Sequence, residues 1–147
     1  MNDLGTAVRT KETEAGATLF AFLDVADRMY ERVGDALGRV GLSYPKYEVL
    51  EYLRTTTEPV SLKTLADCQS CARSNITQLM DKLEVEGLVR RVPDPDDRRG
   101  VRAELTEEGM ARWREGKTQL DVVLAEFAAA FSAPERAQLG TLLSRIG

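Results

Sequence analysis

Arg98 and Arg99 stand side by side in PDPDDRRGVRAELTEEG, residues 93–109. A guanidinium is always charged and more weakly hydrated than an ammonium, which suits it to the minor groove of DNA, where the potential of the phosphates is concentrated. Pro93 and Pro95 would hold a tip carrying the two arginines away from the body. Gly100 would loosen that tip, and Asp97, two residues before Arg99, is placed to brace its side chain. The competing reading of Asp94, Asp96 and Asp97 is a solvated turn. A calcium loop does not fit, because oxygen ligands at regular alternate spacing and a closing glutamate are missing.

A second group lies upstream. If residues from about Ala72 to Glu86 form a helix with Ile76, Leu79, Met80 and Leu83 inward, the opposite face carries Arg73, Ser74, Asn75, Thr77 and Gln78 in its N-terminal half. These are short hydrogen-bonding types plus one arginine, suited to base edges in a major groove rather than to mere solubility. The alternative is a polar surface that lacks long acids. Immediately before this helix, Cys68 and Cys71 form a C-x-x-C pair. Read structurally, both are small semi-buried residues. Read chemically, they are a redox switch, since a disulfide there would strain the turn and move the helix. A zinc site fits least, because the chain has two cysteines and no histidine, and four ligands are needed. We therefore expect no metal and no other cofactor.

The bulk composition narrows the function classes. The 147 residues are 43% hydrophobic and 30% charged, enough for one domain with a proper core. No run of eighteen apolar residues could span a bilayer, and the first sixteen residues lack the apolar core of a secretory signal. The expectation is a cytoplasmic protein with no membrane partner, a frayed N-terminal tail and reduced cysteines. Enzyme chemistry is disfavoured: with no histidine there is no Ser-His or Cys-His pair, and no glycine-rich phosphate loop is present. Net charge is −4, which by itself argues against a nucleic-acid partner. Residues 43–105 are no more basic, with ten Lys/Arg against eleven Asp/Glu. If the chain binds DNA, local placement of arginines must do it.

The elements that would position these groups can be read from periodicity. Leu19, Leu23, Ala26, Tyr30, Val33, Leu37 and Val40 repeat at four-three spacing, a stripe on one long helix from about Ala15 to Arg39. Trp113, Leu120, Leu124, Phe127 and Phe131 share a face of another. The stretch SAPE, Ser132 to Glu135, is a capping box opening a last helix with Leu139, Leu142, Leu143 and Ile146 inward. The two ends of the chain are expected to pack together, either within one molecule or between two. Between them, Ser43 caps a helix with Tyr47, Leu50 and Leu53 inward, and Ser61 caps a short helix, LKTLADC. Gly87 closes the helix that carries Asn75 and Gln78. LVRRV and VRAEL then form a hairpin with a long tip, and Thr106 caps the helix beginning EEG.

Two short helices joined by a tight turn and followed at once by a two-stranded ribbon make a winged helix-turn-helix, whose second helix enters the major groove. Residues 65–109, LADCQSCARSNITQLMDKLEVEGLVRRVPDPDDRRGVRAELTEEG, resemble the MarR family of bacterial transcription regulators. The family's LE..GLV.R passage, D.R wing tip and LTEEG return occur here in order. The resemblance implies a mainly α fold with a small β-hairpin wing, as a single domain over residues 1–147. Residues 15–42 and 107–147 would supply dimerisation helices, and residues 43–105 the DNA-binding lobe. It implies a homodimer on a pseudo-palindromic double-stranded operator, with repression as the expected sense, released by a small-molecule effector or by oxidation. By motif position, Ser74, Asn75, Thr77 and Gln78 would face the major groove, Arg73 would approach phosphate, and Arg99 braced by Asp97, with Arg98 beside it, would serve the minor groove. The chain departs from the family pattern at the turn, where Gln69 and Ser70 replace an apolar residue and a glycine, and Cys71 replaces a small aliphatic residue. The rival reading is a winged-helix module that docks a protein through its ribbon and helix.

Overall fold

The computed structural model describes residues 13–68 and 73–146, the side chains of Arg73 and Ser74 excepted. Helix α1 (Glu14–Gly38) starts at Thr13, whose hydroxyl accepts from the Gly16 amide at 3.0 Å. Helix α2 (Tyr44–Arg54) is capped by Ser43 and has Pro45 in its first turn, where no amide donor is required. A two-residue strand, β1 (Val60–Ser61), leads into α3 (Leu62–Cys68), and α4 (Arg73–Val85) follows the turn. Strands β2 (Val89–Pro93) and β3 (Val101–Leu105) form the hairpin, and α5 (Glu107–Ala129) and α6 (Ala133–Leu143) complete the chain.

The ribbon expected from sequence is in fact a three-stranded antiparallel sheet, ordered β1-β3-β2. Val60 and Ser61 pair with Ala103 and Arg102. Two residues after a proline are too few to show alternation, so this strand is visible only through its partner. The sheet anchors the base of the wing on both sides of β3 and leaves the tip projecting.

The core of the lobe lies where α2, α3 and α4 meet the sheet. Val49, Leu50, Leu65, Ile76, Met80, Leu83, Leu88 and Ala103 are all at most 1% exposed. Because Ile76, Met80 and Leu83 recur at helical spacing, burying them fixes the rotation of α4 and turns Asn75, Thr77 and Gln78 outward. Gly87 follows α4 with φ of 73°, a left-handed conformation that glycine adopts without a Cβ clash, and the chain reverses there into β2.

The long helices differ from expectation along part of their length. α1 packs against α5 where Leu37 is fully buried, Trp113 is 9% exposed and Arg32 pairs with Glu126. Toward its N-terminal end, however, Leu19, Leu23 and Tyr30 are 51%, 44% and 58% exposed. In the C-terminal half of α5 it is Val123 that is buried, while Leu124 is 60% exposed. On α6 and just past its end the expected inward face is largely open, with Leu139 half-buried and Leu142, Leu143 and Ile146 exposed. The capping box at Ser132 and Glu135 is formed, so α6 begins where the sequence indicates but finds too little surface within one chain to cover its face. Among the described residues no helix is long and apolar enough to cross a membrane.

Candidate nucleic-acid interface

At the tip of the wing the Asp94 amide donates to the Gly100 carbonyl at 3.0 Å, and the Gly100 amide donates to the Asp97 carbonyl at 2.9 Å. A Cβ on Gly100 would sit 2.9 Å from that of Asp94 and 3.0 Å from that of Asp97. Gly100 is therefore a close-packing glycine that tightens the tip, not the loosening element expected from sequence. The acids have two tasks here. Asp94 Oδ1 accepts from the Asp96 amide at 2.9 Å, and Asp97 Oδ1 accepts from the Arg99 amide at 3.0 Å, so both carboxylates fold the backbone. Asp94 and Asp96 also hold the guanidinium of Arg102, at 3.0 and 2.8 Å. The hydrogen bond from Arg102 is the main reason the Asp94 carboxyl lies below its ordinary pKa.

Asp97 thus braces the main chain of Arg99 and not its side chain, because the two-residue spacing closes a local turn before a carboxylate can reach the guanidinium. Arg98 and Arg99 are exposed, and among the described residues no carboxylate pairs with either. Two of the three acids of the tip answer to Arg102 and the third to a backbone amide, and two cations project beyond them.

The same pattern recurs at the base of the wing. Arg91 on β2 donates to Asp81 at 2.6 Å and to Glu84 at 2.6 Å, and its guanidinium lies 3.4 Å from the Thr77 carbonyl. Arg90 bonds Glu104 across the hairpin at 2.6 Å. An ion pair has a short-ranged field, so pairing most of the acids near α4 and the wing lets an acidic chain present a face that does not repel phosphate. Sequence reasoning singled out Arg98 and Arg99 and missed Arg90, Arg91 and Arg102, which do the pairing. Cross-strand register carries the signal for one of them, since Arg90 stands opposite Glu104; the reach of Arg91 to α4 needs the tertiary fold.

On α4, Asn75, Thr77 and Gln78 are exposed on one outward face beside the wing. The side chains of Arg73 and Ser74 lie outside the described residues, as does Cys71. Cys68 is described, and it is an exposed free thiol instead of a semi-buried one. The inward residues of α3 are Leu65 and Ala66, which leaves Cys68 on the flank of the helix. It shares a hydrogen bond with Tyr52, which raises the pKa of that phenol.

Cys68 also closes one end of a cavity of about 370 Å³ that runs along α2, lined by Tyr44, Tyr47, Glu48, Glu51, Tyr52 and Thr55. Tyr44 is hydrogen-bonded to Glu48, and its pKa is raised by burial and then by that carboxylate. Glu51 accepts from Arg54 at 2.7 Å and from the indole of Trp113. Its carboxyl is held below the ordinary range, chiefly by Arg54.

Residues 42–101 match the MarR family model. The chain is 34% identical over 84 residues to the HTH-type transcriptional regulator PrsX of Escherichia coli, covering 56% of this chain and 51% of that protein, so it spans about half the length of this relative. It is 31% identical over 107 residues to the HTH-type transcriptional regulator YkoM of Bacillus subtilis (strain 168), covering 73% of this chain and 69% of that one. Among solved structures, CouR from Rhodococcus jostii RHA1 bound to p-coumaroyl-CoA has a TM-score of 0.74 and 29% identity, over 86% of this chain and 89% of that one. The matched segment coincides with the lobe built from α2 to the wing, and the likeness to YkoM and CouR covers 73% and 86% of the chain; on these grounds the chain belongs to the MarR family.

Proposed function

We propose that this chain is a sequence-specific DNA-binding transcription regulator, acting as a homodimer and as a repressor, whose hold on a pseudo-palindromic operator is modulated by a small molecule. The observation that carries the reading is the state of the wing: Asp94 and Asp96 are held by Arg102, while Arg98 and Arg99 are exposed without a carboxylate partner among the described residues. In this reading Arg99 enters the minor groove with Arg98 beside it, and Asp97 shapes the tip through the Arg99 amide. Ser74, Asn75, Thr77 and Gln78 meet base edges in the major groove, and Arg73 meets phosphate.

Dimerisation is supported by the apolar residues left open on α1, α5 and α6. Joining 15–42 and 107–147 of two chains would cover them and place two copies of the lobe, residues 43–105, on successive half-sites. Small-molecule modulation is supported by the cavity along α2, and by the fact that CouR was solved with a small molecule bound.

Selection from a random DNA pool tests the reading. The expected product is a two-fold related site whose affinity falls steeply with salt, because each neutralised phosphate releases counterions. Failure to enrich any sequence, or binding insensitive to salt, would instead favour a module that docks a protein.

A further inference from the structure

We infer that the cavity along α2 is a binding site for an organic cation with an aromatic or alkylated body. This rests on the reading of the chain as an effector-modulated regulator, but the chemistry comes from the cavity itself. Positions 44, 47, 48, 51, 52 and 55 follow helical spacing, so one stripe of α2 presents three phenol rings and two carboxylates to the same space. The chain has four tyrosines, and the fourth, Tyr30 of α1, packs edge-on against Tyr44 with ring centroids 5.7 Å apart. All the tyrosines are thus gathered here.

The faces of these rings are electronegative and attract a cation, most strongly one that is poorly hydrated. Glu48 supplies the counter-charge. Glu51 is already engaged by Arg54, whose guanidinium also stacks 4.2 Å from the centroid of the Trp113 ring. Among the described residues no lysine or arginine lines the space. An organic anion would face Glu48, which no lysine or arginine pairs among the described residues, and a neutral hydrocarbon would desolvate Glu48 without replacing its water. A small metal ion is not served either, since the remaining groups are phenols, a threonine and a thiol. A volume of about 370 Å³ falls in the range of small-molecule sites.

A pair of ions of one shape and opposite charge tests this. The full-length protein is titrated with tetraphenylphosphonium and with tetraphenylborate, followed by calorimetry and by the fluorescence of Trp113, the single tryptophan, which donates to Glu51 at the cavity wall. The phosphonium should bind more tightly than the borate by on the order of tenfold or more. Glu48→Gln should weaken phosphonium binding by roughly fivefold without weakening the borate, and Tyr44→Leu should weaken it as well. Thermal melts of both variants establish that they fold. Equal or tighter borate binding, no binding of either ion, or a phosphonium affinity unmoved in both folded variants would overturn the site. Release of pool-selected DNA by the phosphonium is measured separately. Cation binding without release keeps the site and removes its effector role, and a chain that selects no DNA removes the regulator reading while leaving the cation titration intact.

Discussion

Arg91 of β2 reaches Asp81 of α4 at 2.6 Å, and one further turn along the same helix it takes Glu84, also at 2.6 Å. The strand that launches the wing is therefore tied to the helix that carries Asn75 and Gln78. If the wing and α4 read adjacent grooves, this tie sets the distance between them.

Each of these ion pairs is partly exposed and contributes about 0–1 kcal/mol to stability, so Arg91→Met should lower the melting temperature only slightly. Its effect on DNA affinity should be larger, about tenfold, because two groove contacts lose their common register. Arg91→Lys should recover little, since an ammonium cannot grip two carboxylates as a planar fork does. Fluorescence anisotropy with selected DNA checks this, and a double-mutant cycle with Arg99→Ala should show losses that do not add. Additive losses would mean that Arg91 and the tip act independently.

Arg99→Ala alone should weaken specific binding by about 1–3 kcal/mol and leave the thermal melt unchanged, because the side chain is exposed on the tip. Unchanged operator affinity would remove Arg99 from the interface.

Much of this fold was legible because its signals are local. Ser43, Thr106 and Ser132 cap helices within three residues of themselves, and the rotation of α4 follows from the spacing of Ile76, Met80 and Leu83. What could not be read was the allocation of charge. From sequence, Asp94, Asp96 and Asp97 surround two arginines, and nothing local says that Arg102, folded back from β3, holds the first two while the third turns to a backbone amide. Nor could spacing reveal β1, which exists only by pairing with β3, or show that Cys68 stands on the flank of α3.

The grip of Arg102 on the tip makes a pH prediction. The Asp94 carboxyl has a folded-state pKa below its ordinary value, so its contribution is present at neutral pH and is lost as pH falls through that lowered pKa. The order of the tip should therefore persist below pH 4, where an unperturbed aspartate is already about half protonated. A carboxyl-detected NMR titration should place Asp94 lower in the parent than in Arg102→Gln. Coincident titrations in the two proteins would mean that the ion pair is not formed in solution.

The Cys68→Ser, Cys71→Ala variant should bind selected DNA as the parent does, with or without diamide. Cys68 contributes no core packing, and a serine can keep the hydrogen bond to Tyr52. If the parent releases DNA on oxidation and the variant does not, the chain is a thiol sensor.

The open apolar faces of α1, α5 and α6 give the last prediction. In a single chain Leu23 is 44% and Leu124 60% exposed, and a lysine at such positions on a monomer costs within about 0.5 kcal/mol. If two chains bury these residues against one another, the same lysines must desolvate in an apolar contact, and the cost rises to that of an unpaired buried charge. The parent should therefore sediment as a dimer and melt at a temperature that rises with protein concentration. Leu23→Lys with Leu124→Lys should sediment as a monomer and should lose most of its affinity for a two-fold site. It should bind a half-site and the full site almost equally, because each lobe keeps its own core around Leu50, Met80 and Leu88 while the linkage between the two is gone. Sedimentation velocity and binding to half and full sites measure both properties on the same samples. A parent that sediments as a monomer, or a double variant that remains dimeric and retains full-site affinity, would place the dimer contact elsewhere.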